Sequence, residues 1–223
     1  MPTPIKQINQ WHSRGYIPHC DFTGLHQSIT FRLIDSLPHS KLIELEQQLT
    51  QDTANLPPDQ AMIERRNKIE QWMDNGYGCC ALSHPEMAAT MEETLLKFDG
   101  DRYKLLSWCI MPNHVHVLIE AHASLGKILQ SWKSYTARWA RQNAEKLNIP
   151  IPPQGFWQRE YWDRYIRTEK HYHNVVDYIH RNPVSAGLCK IEADWPWSSA
   201  RFPEETTEPQ LSTPPPMYIP KKH

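Results

Sequence analysis

The stretch YKLLSWCI-MPN-HVHVLIE, residues 103–120, constrains the fold more than any other part of the sequence. Two runs rich in β-branched, aliphatic and aromatic residues are separated by three residues, of which Pro112 and Asn113 favour a turn, so the pair predicts an antiparallel hairpin. Side chains alternate across a strand, which puts His114, His116 and Leu118 on one face and Val115, Val117 and Ile119 on the other. The valine face demands an apolar layer against it. The other face carries two imidazoles about 6.6 Å apart along the backbone, near enough to converge on one metal ion.

Around this hairpin the remaining sequence predicts short strands and amphipathic helices. Residues 27–34 (HQSITFRL) read as a strand that ends before the turn DSLP. Residues 38–75 read as two helices separated by Pro57-Pro58 and stopped at Gly76, an acidic helical insertion between core elements. Ser83 with Glu86 forms a capping-box pattern that opens a helix to about Phe98. From Ser124 to Asn148, Leu125, Ile128, Leu129, Trp132 and Trp139 recur at helical spacing, opposite Lys127, Gln130, Ser134, Arg138 and Arg141. A loop rich in Pro, Trp and Arg (IPPQGFWQREYWDRYIR) leads to a further helix, EKHYHNVVDYIHRN, which Pro183 is expected to end. The pattern predicts an α+β fold with an antiparallel sheet. At 223 residues, one domain over 1–202 with the insertion at about 38–75 is expected, followed by a proline-rich mobile tail over 203–223.

The net charge of -1 conceals an asymmetry. Residues 38–100 hold 11 acidic against 5 basic residues, whereas 101–182 hold 12 basic against 7 acidic. The basic surplus lies in the segment that also holds the paired histidines, where a polyanionic substrate would have to bind. The five cysteines show no CxxC spacing and form no paired framework, which argues against a structural zinc site and for a reducing compartment. No leader pattern and no apolar run of the roughly 20 residues that span a bilayer is present, so a cytoplasmic protein, with no membrane partner, is expected.

Two histidines on a strand are, taken alone, better explained by ordinary hydrogen bonding or exposure to solvent than by metal binding. A histidine-triad hydrolase needs a third histidine where Leu118 stands, and a cupin needs an all-β chain. A two-histidine site completed from elsewhere remains. On the helix EKHYHNVVDYIHRN, Tyr178 and Asn182 lie four residues apart at the edge of the apolar stripe, hence about 5–6 Å from each other. Asn182 also suits a helix C-cap and Tyr178 a half-buried aromatic. Taken together, a neutral amide oxygen and two imidazoles can bind a divalent ion without cancelling its charge, and a phenol beside it can attack phosphorus.

The motifs MPNHVHVLIE, WQREYWDRYIR, VVDYIHRNPVSAGL and DWPWSSA, in that order, resemble the REP-associated tyrosine transposases, a branch of the single-tyrosine HUH transposases. The resemblance covers roughly residues 101–202, with a weaker echo in GYIPHCDFTGLHQSITFRLIDSLP. It implies a ferredoxin-like antiparallel β-sheet with flanking helices, a metal site for Mg²⁺ or Mn²⁺ at His114, His116 and Asn182, and Tyr178 as nucleophile. Tyr165, with Glu169 four residues on, is the rival tyrosine. The function implied is a DNA transposase that cleaves and rejoins single-stranded DNA at hairpin-forming repeats through a 5'-phosphotyrosine link, nucleoid-associated and without a nucleotide cofactor. Phosphate contacts are expected from Lys133, Arg138, Arg141, Arg159, Arg164 and Arg167, and base stacking from Trp157, Tyr161 and Trp162. Two alternatives stay open: a domesticated repeat-hairpin DNA-binding protein without turnover, and a metal-dependent phosphodiesterase that uses water. Monomer and homodimer are both compatible with the sequence.

Overall fold

A computed structural model describes residues 9–13, 18–37, 39–53, 56–202, 209 and 211–212. The expected hairpin is its centre: β4 (Tyr103–Ile110) and β5 (His114–Ala121) pair antiparallel across the MPN turn. On the other edge of β5 lies β3 (His26–Arg32), and beyond it β6 (Trp162–Tyr165), also antiparallel, giving the order β4-β5-β3-β6. A separate ribbon joins β1 (Asn9–Ser13) to β2 (Pro18–Phe22). The helices are α1 (His39–Thr53), α2 (Pro58–Asp74), α3 (Pro85–Leu96), α4 (Leu125–Leu147) and α5 (Glu169–Ser185). The α+β fold with an antiparallel sheet and flanking helices is thus observed.

Alternation along β5 decides what covers each face. Val115, Val117 and Ile119 join Ile29 and Phe31 of β3 in a cluster closed by Met87, Met91 and Leu95 of α3 and by Leu125, Ile128, Leu129 and Trp132 of α4. Each such side chain contributes about 1.5–3 kcal/mol when fully buried. The opposite face, which bears the histidines, is covered by α5: Ile179, Tyr172, Val175 and Val176 pack with Cys109, Met111, Leu118 and Ile166. The helices α1 and α2 form a smaller cluster, in which Leu49, Ile69 and Met73 pack with Leu37, Trp72 and Trp162. Because Trp162 stands in register with Thr30, and Thr30 with His116, this cluster borders the histidine face.

The DWPWSSA motif seals the outer edge of β4. The Ile110 amide donates to Trp197 O (2.9 Å), Trp195 Nε1 to Ile110 O (3.0 Å) and the Trp108 amide to Ser199 Oγ (3.0 Å). The ladder shifts register between Leu105 and Ser107, and there Ser107 Oγ and Ser199 Oγ both meet His180 Nε2 of α5, at 3.1 and 2.8 Å. An otherwise open strand edge is thereby covered and α5 is tied to it.

Three local expectations fail for identifiable reasons. No capping box forms: Ser83 lies in a 3₁₀ turn, and α3 begins at Pro85 after an extended His84 that makes no side-chain cap bond. Proline at the first helical position is already set for the helix, which makes Ser83 one residue too early to cap it. Pro183 does not end α5, which continues to Ser185, with the Ala186 amide reaching Asn182 O at 2.9 Å. So close to a helix end, proline forfeits a single backbone bond, and its ring is buried in compensation. The stretch read as loop contains β6, a four-residue edge strand whose Asp163 and Arg164 hide any apolar alternation. The expected tail at 203–223 lies outside the described residues except at 209 and 211–212, where Leu211 packs against the α5 cluster and Ser212 Oγ donates to Gly24 O.

Candidate active site

The two histidines are fully buried, and their Nε2 atoms stand 2.9 Å apart. Their other nitrogens are held from outside. Asn113 spends both amide hydrogens on Met73 O and Tyr77 O (3.0 Å each), so its Oδ1, 2.7 Å from His114 Nδ1, is left as an acceptor. His114 therefore carries its proton on Nδ1 and presents a bare Nε2. His116 Nδ1 meets Thr30 Oγ1 at 3.0 Å. Burial, and then the neighbouring His116, hold His114 well below the ordinary histidine range, with Glu70 partly offsetting this; the neutral form is the one that ligates a metal.

From the other side, α5 brings Tyr178 and Asn182. The Tyr178 ring lies edge-on to His116, with centroids 5.4 Å apart. Tyr178 as a residue is 38% exposed, but its hydroxyl donates to the carboxylate of the buried Glu70, Oη to Oε2 2.9 Å. Burial and the Glu70 charge push the phenol above its ordinary pKa, while the Asn182 amide pulls the other way. Asn182 is buried and donates Nδ2 to Tyr178 O at 2.9 Å, so Oδ1 is the atom of its amide that could serve as a ligand.

Glu70 comes from α2, and so does Asp74, one turn later. Asp74 Oδ1 lies 3.6 Å from His114 Nε2, is buried and has no hydrogen-bond partner among the described residues. Burial, then Glu70, push the Asp74 carboxyl up to about 7. Nothing in the acidic composition of 38–100 identified these two residues. The i,i+4 spacing of Glu70 and Asp74 on one face of α2 was the available signal, and only the tether from Asn113 to Met73 O shows where that face points.

This donor set fits a divalent cation. Two ligands at right angles on an octahedral ion with bonds of about 2.1 Å stand roughly 3.0 Å apart, close to the observed Nε2 separation of 2.9 Å. Among the described residues no group of three or more His, Cys, Asp or Glu is arranged to hold a metal, so an ion at the two imidazoles would need a further donor of another type, such as the amide of Asn182, which is tied to Tyr178.

The expected DNA contacts are scattered by the fold. Trp157 and Tyr161 are core side chains: Trp157 Nε1 donates to Thr136 Oγ1 at 2.9 Å, and Tyr161 stacks on His19 with centroids 4.2 Å apart. Neither offers a free ring face, which overturns their expected stacking role. Trp162 is partly buried against α1 and α2. Lys133 Nζ donates to Gln158 O (2.9 Å) and Arg159 O (3.2 Å), so it braces the loop before β6. Arg138 and Arg141 are exposed on α4, on the sheet face opposite to the histidines. Arg159, Arg164 and Arg167 are exposed around β6, with Arg167 over the Tyr165 ring at 5.0 Å. Tyr165 itself is buried with Cys20 and Leu25, away from the histidine pair, which removes the rival nucleophile.

A family model described as transposase IS200-like matches residues 82–182. Over residues 82–182 the chain is thus similar to the IS200-like transposases. The matched region contains both histidines, Tyr178 and Asn182, and excludes α1 and α2. The chain is 27% identical over 110 residues to the REP-associated tyrosine transposase of Escherichia coli K12, covering 49% of this chain and 62% of the relative. It is 29% identical over 103 residues to a Haemophilus influenzae protein of the same description, covering 44% and 58%. The matches thus span about three fifths of these curated relatives. A solved REP-associated tyrosine transposase bound to a REP hairpin aligns with 20% identity and a TM-score of 0.48, over 85% of this chain and 82% of that one. The resemblance read from the sequence motifs is borne out by the family and the curated relatives. Among the described residues no helix is long and apolar enough to cross a membrane.

Proposed function

We propose that this protein is a DNA transposase of the REP-associated type, which cleaves and rejoins single-stranded DNA at hairpin-forming repeats through a 5'-phosphotyrosine intermediate. The observation that carries the reading is the meeting of Tyr178 with the paired imidazoles, rings 5.4 Å apart, inside the region that matches the transposase family.

His114 Nε2, His116 Nε2 and Asn182 Oδ1 would hold Mg²⁺ or Mn²⁺. An ion held there would polarise the phosphodiester and neutralise the charge that develops on it. Tyr178 Oη attacks phosphorus, and Glu70 Oε2, 2.9 Å away, takes the phenol proton. The bond from phosphorus to the 3'-oxygen breaks; that oxygen gains a proton from solvent and leaves as a 3'-hydroxyl, while the 5'-phosphate stays on Tyr178. The covalent link conserves the diester energy, so an incoming 3'-hydroxyl reverses the step and returns Tyr178 to its free form without ATP.

The test is rejoining. DNA carrying a hairpin repeat is cleaved, unreacted strands are removed, and a second strand with a free 3'-hydroxyl is added. The reading predicts a joined product without nucleotide cofactor. Nicked DNA with no joining would identify a phosphodiesterase that uses water, and intact DNA bound by the protein would identify a repeat-binding protein without turnover.

A further inference from the structure

Arg32 is the last residue of β3 and the cross-strand partner of His114, so the two side chains rise from the same face of the sheet. Arg32 is buried, at 9% exposure for the whole residue. Nη1 donates to Ser36 Oγ at 3.0 Å, and Cζ lies 5.9 Å from the centre of the Trp162 ring. Among the described residues no carboxylate pairs with it, and burial brings it down to about 10 with no counter-charge to offset the effect. At neutral pH it is therefore a cation taken out of water, with one of its five N–H donors bonded among the described residues. Such an arrangement is costly unless an anion completes it.

The surroundings say which anion. Thr30, two residues earlier on the same face, holds His116, and Trp162 stands beside Thr30 on β6. Glu70 and Asp74 face Tyr178 and His114, so a phosphodiester approaching the histidine pair meets two carboxylates. A fixed cation next to His114 counters that repulsion, and the guanidinium fork matches two phosphate oxygens.

We infer that Arg32 binds the scissile phosphodiester of single-stranded DNA and holds it against the His114–His116 pair. This rests on the proposed reading that DNA is the substrate of this site, and it adds a residue that lies outside the region matched by the transposase family.

A binding cycle tests it. In a Tyr178→Phe background, which cannot cleave, affinity is measured for a hairpin with a single-stranded flank taken from the repeats beside its gene. Each flank phosphodiester in turn is replaced by a neutral methylphosphonate. Arg32→Gln is expected to weaken binding of unmodified DNA by at least about tenfold, and this loss should vanish only when the neutral linkage is the one that the unmutated protein cleaves. A loss that persists at every neutral linkage, a loss that vanishes at a different linkage, or unchanged affinity would overturn the assignment. Arg32→Lys, which keeps the charge and the stem, carries the same cycle if the glutamine variant unfolds. Adduct formation by the unmutated protein on unmodified DNA is read separately. Cleavage without an adduct, with the coupling intact at the cleaved linkage, contradicts the covalent mechanism and leaves the Arg32 contact standing.

Discussion

Tyr178 and Glu70, 108 residues apart in the chain, meet hydroxyl to carboxylate at 2.9 Å. The nucleophile of the proposed reaction is thus held by a helix that lies outside the matched family region. Glu70→Gln keeps an acceptor for the hydroxyl but no longer takes its proton at neutral pH. Single-turnover adduct formation is expected to slow by about 100-fold or more, with DNA affinity undiminished because a negative charge has been removed. An adduct rate equal to that of the unmutated protein would show that Glu70 does not accept the proton.

His114→Ala and His116→Ala are each expected to abolish Mn²⁺ binding measured by titration calorimetry, and Asn182→Ala to weaken it. Asn113→Ala should lower Mn²⁺ affinity about 10–100-fold without touching a ligand, because it frees the His114 tautomer. It should also destabilise the fold by about 1–3 kcal/mol, since two carbonyls of the α2 region lose their donor. Strand cleavage that survives EDTA would refute the metal role.

Asp74 gives the fold a pH dependence of known sign. Its carboxyl is raised from 3.8 to about 7 by burial and by Glu70, so between those values the folded chain holds a proton that the unfolded chain has lost. Stability contributed by this group therefore falls as pH rises from about 4 to about 7 and is level above. His114, held low, acts in the opposite sense: its contribution is lost as pH falls below the ordinary histidine value. The difference between the native sequence and Asp74→Asn in metal-free denaturant melts isolates the first effect. Parallel curves across the window would contradict it.

Arg138 and Arg141 lie on the far side of the sheet from Tyr178. Neutralising both is expected to weaken hairpin binding for all sequences alike and to flatten the salt dependence by about one unit of slope for each phosphate that is no longer neutralised. The adduct rate at saturating DNA should not change. A slower rate at saturation would mean that these arginines act at the scissile phosphate.

The hairpin, the histidine face and the Tyr178–Asn182 edge were legible because each rests on a local periodicity, two residues in β5 and about four in α5. What brings Glu70, Asp74 and Arg32 to the same place is not local. It depends on the Asn113 bonds to α2 and on the pairing of β3 with β5, neither of which any spacing within α2 or β3 announces. Composition misled in the case of Trp157 and Tyr161. An aromatic, arginine-rich loop reads as a nucleic-acid surface, yet its rings fill the core and its path is fixed by Lys133.

The central claim is that Tyr178, beside the histidine pair, becomes covalently joined to DNA. The direct measurement is incubation with single-stranded DNA carrying a hairpin repeat and Mg²⁺, followed by separation under denaturing conditions. The account predicts a denaturant-resistant protein–DNA adduct that maps to Tyr178, requires the divalent ion and is absent from Tyr178→Phe, whose fold and DNA binding are retained. An undiminished adduct in Tyr178→Phe, or cleavage by the unmutated protein with no adduct at any time, would contradict it.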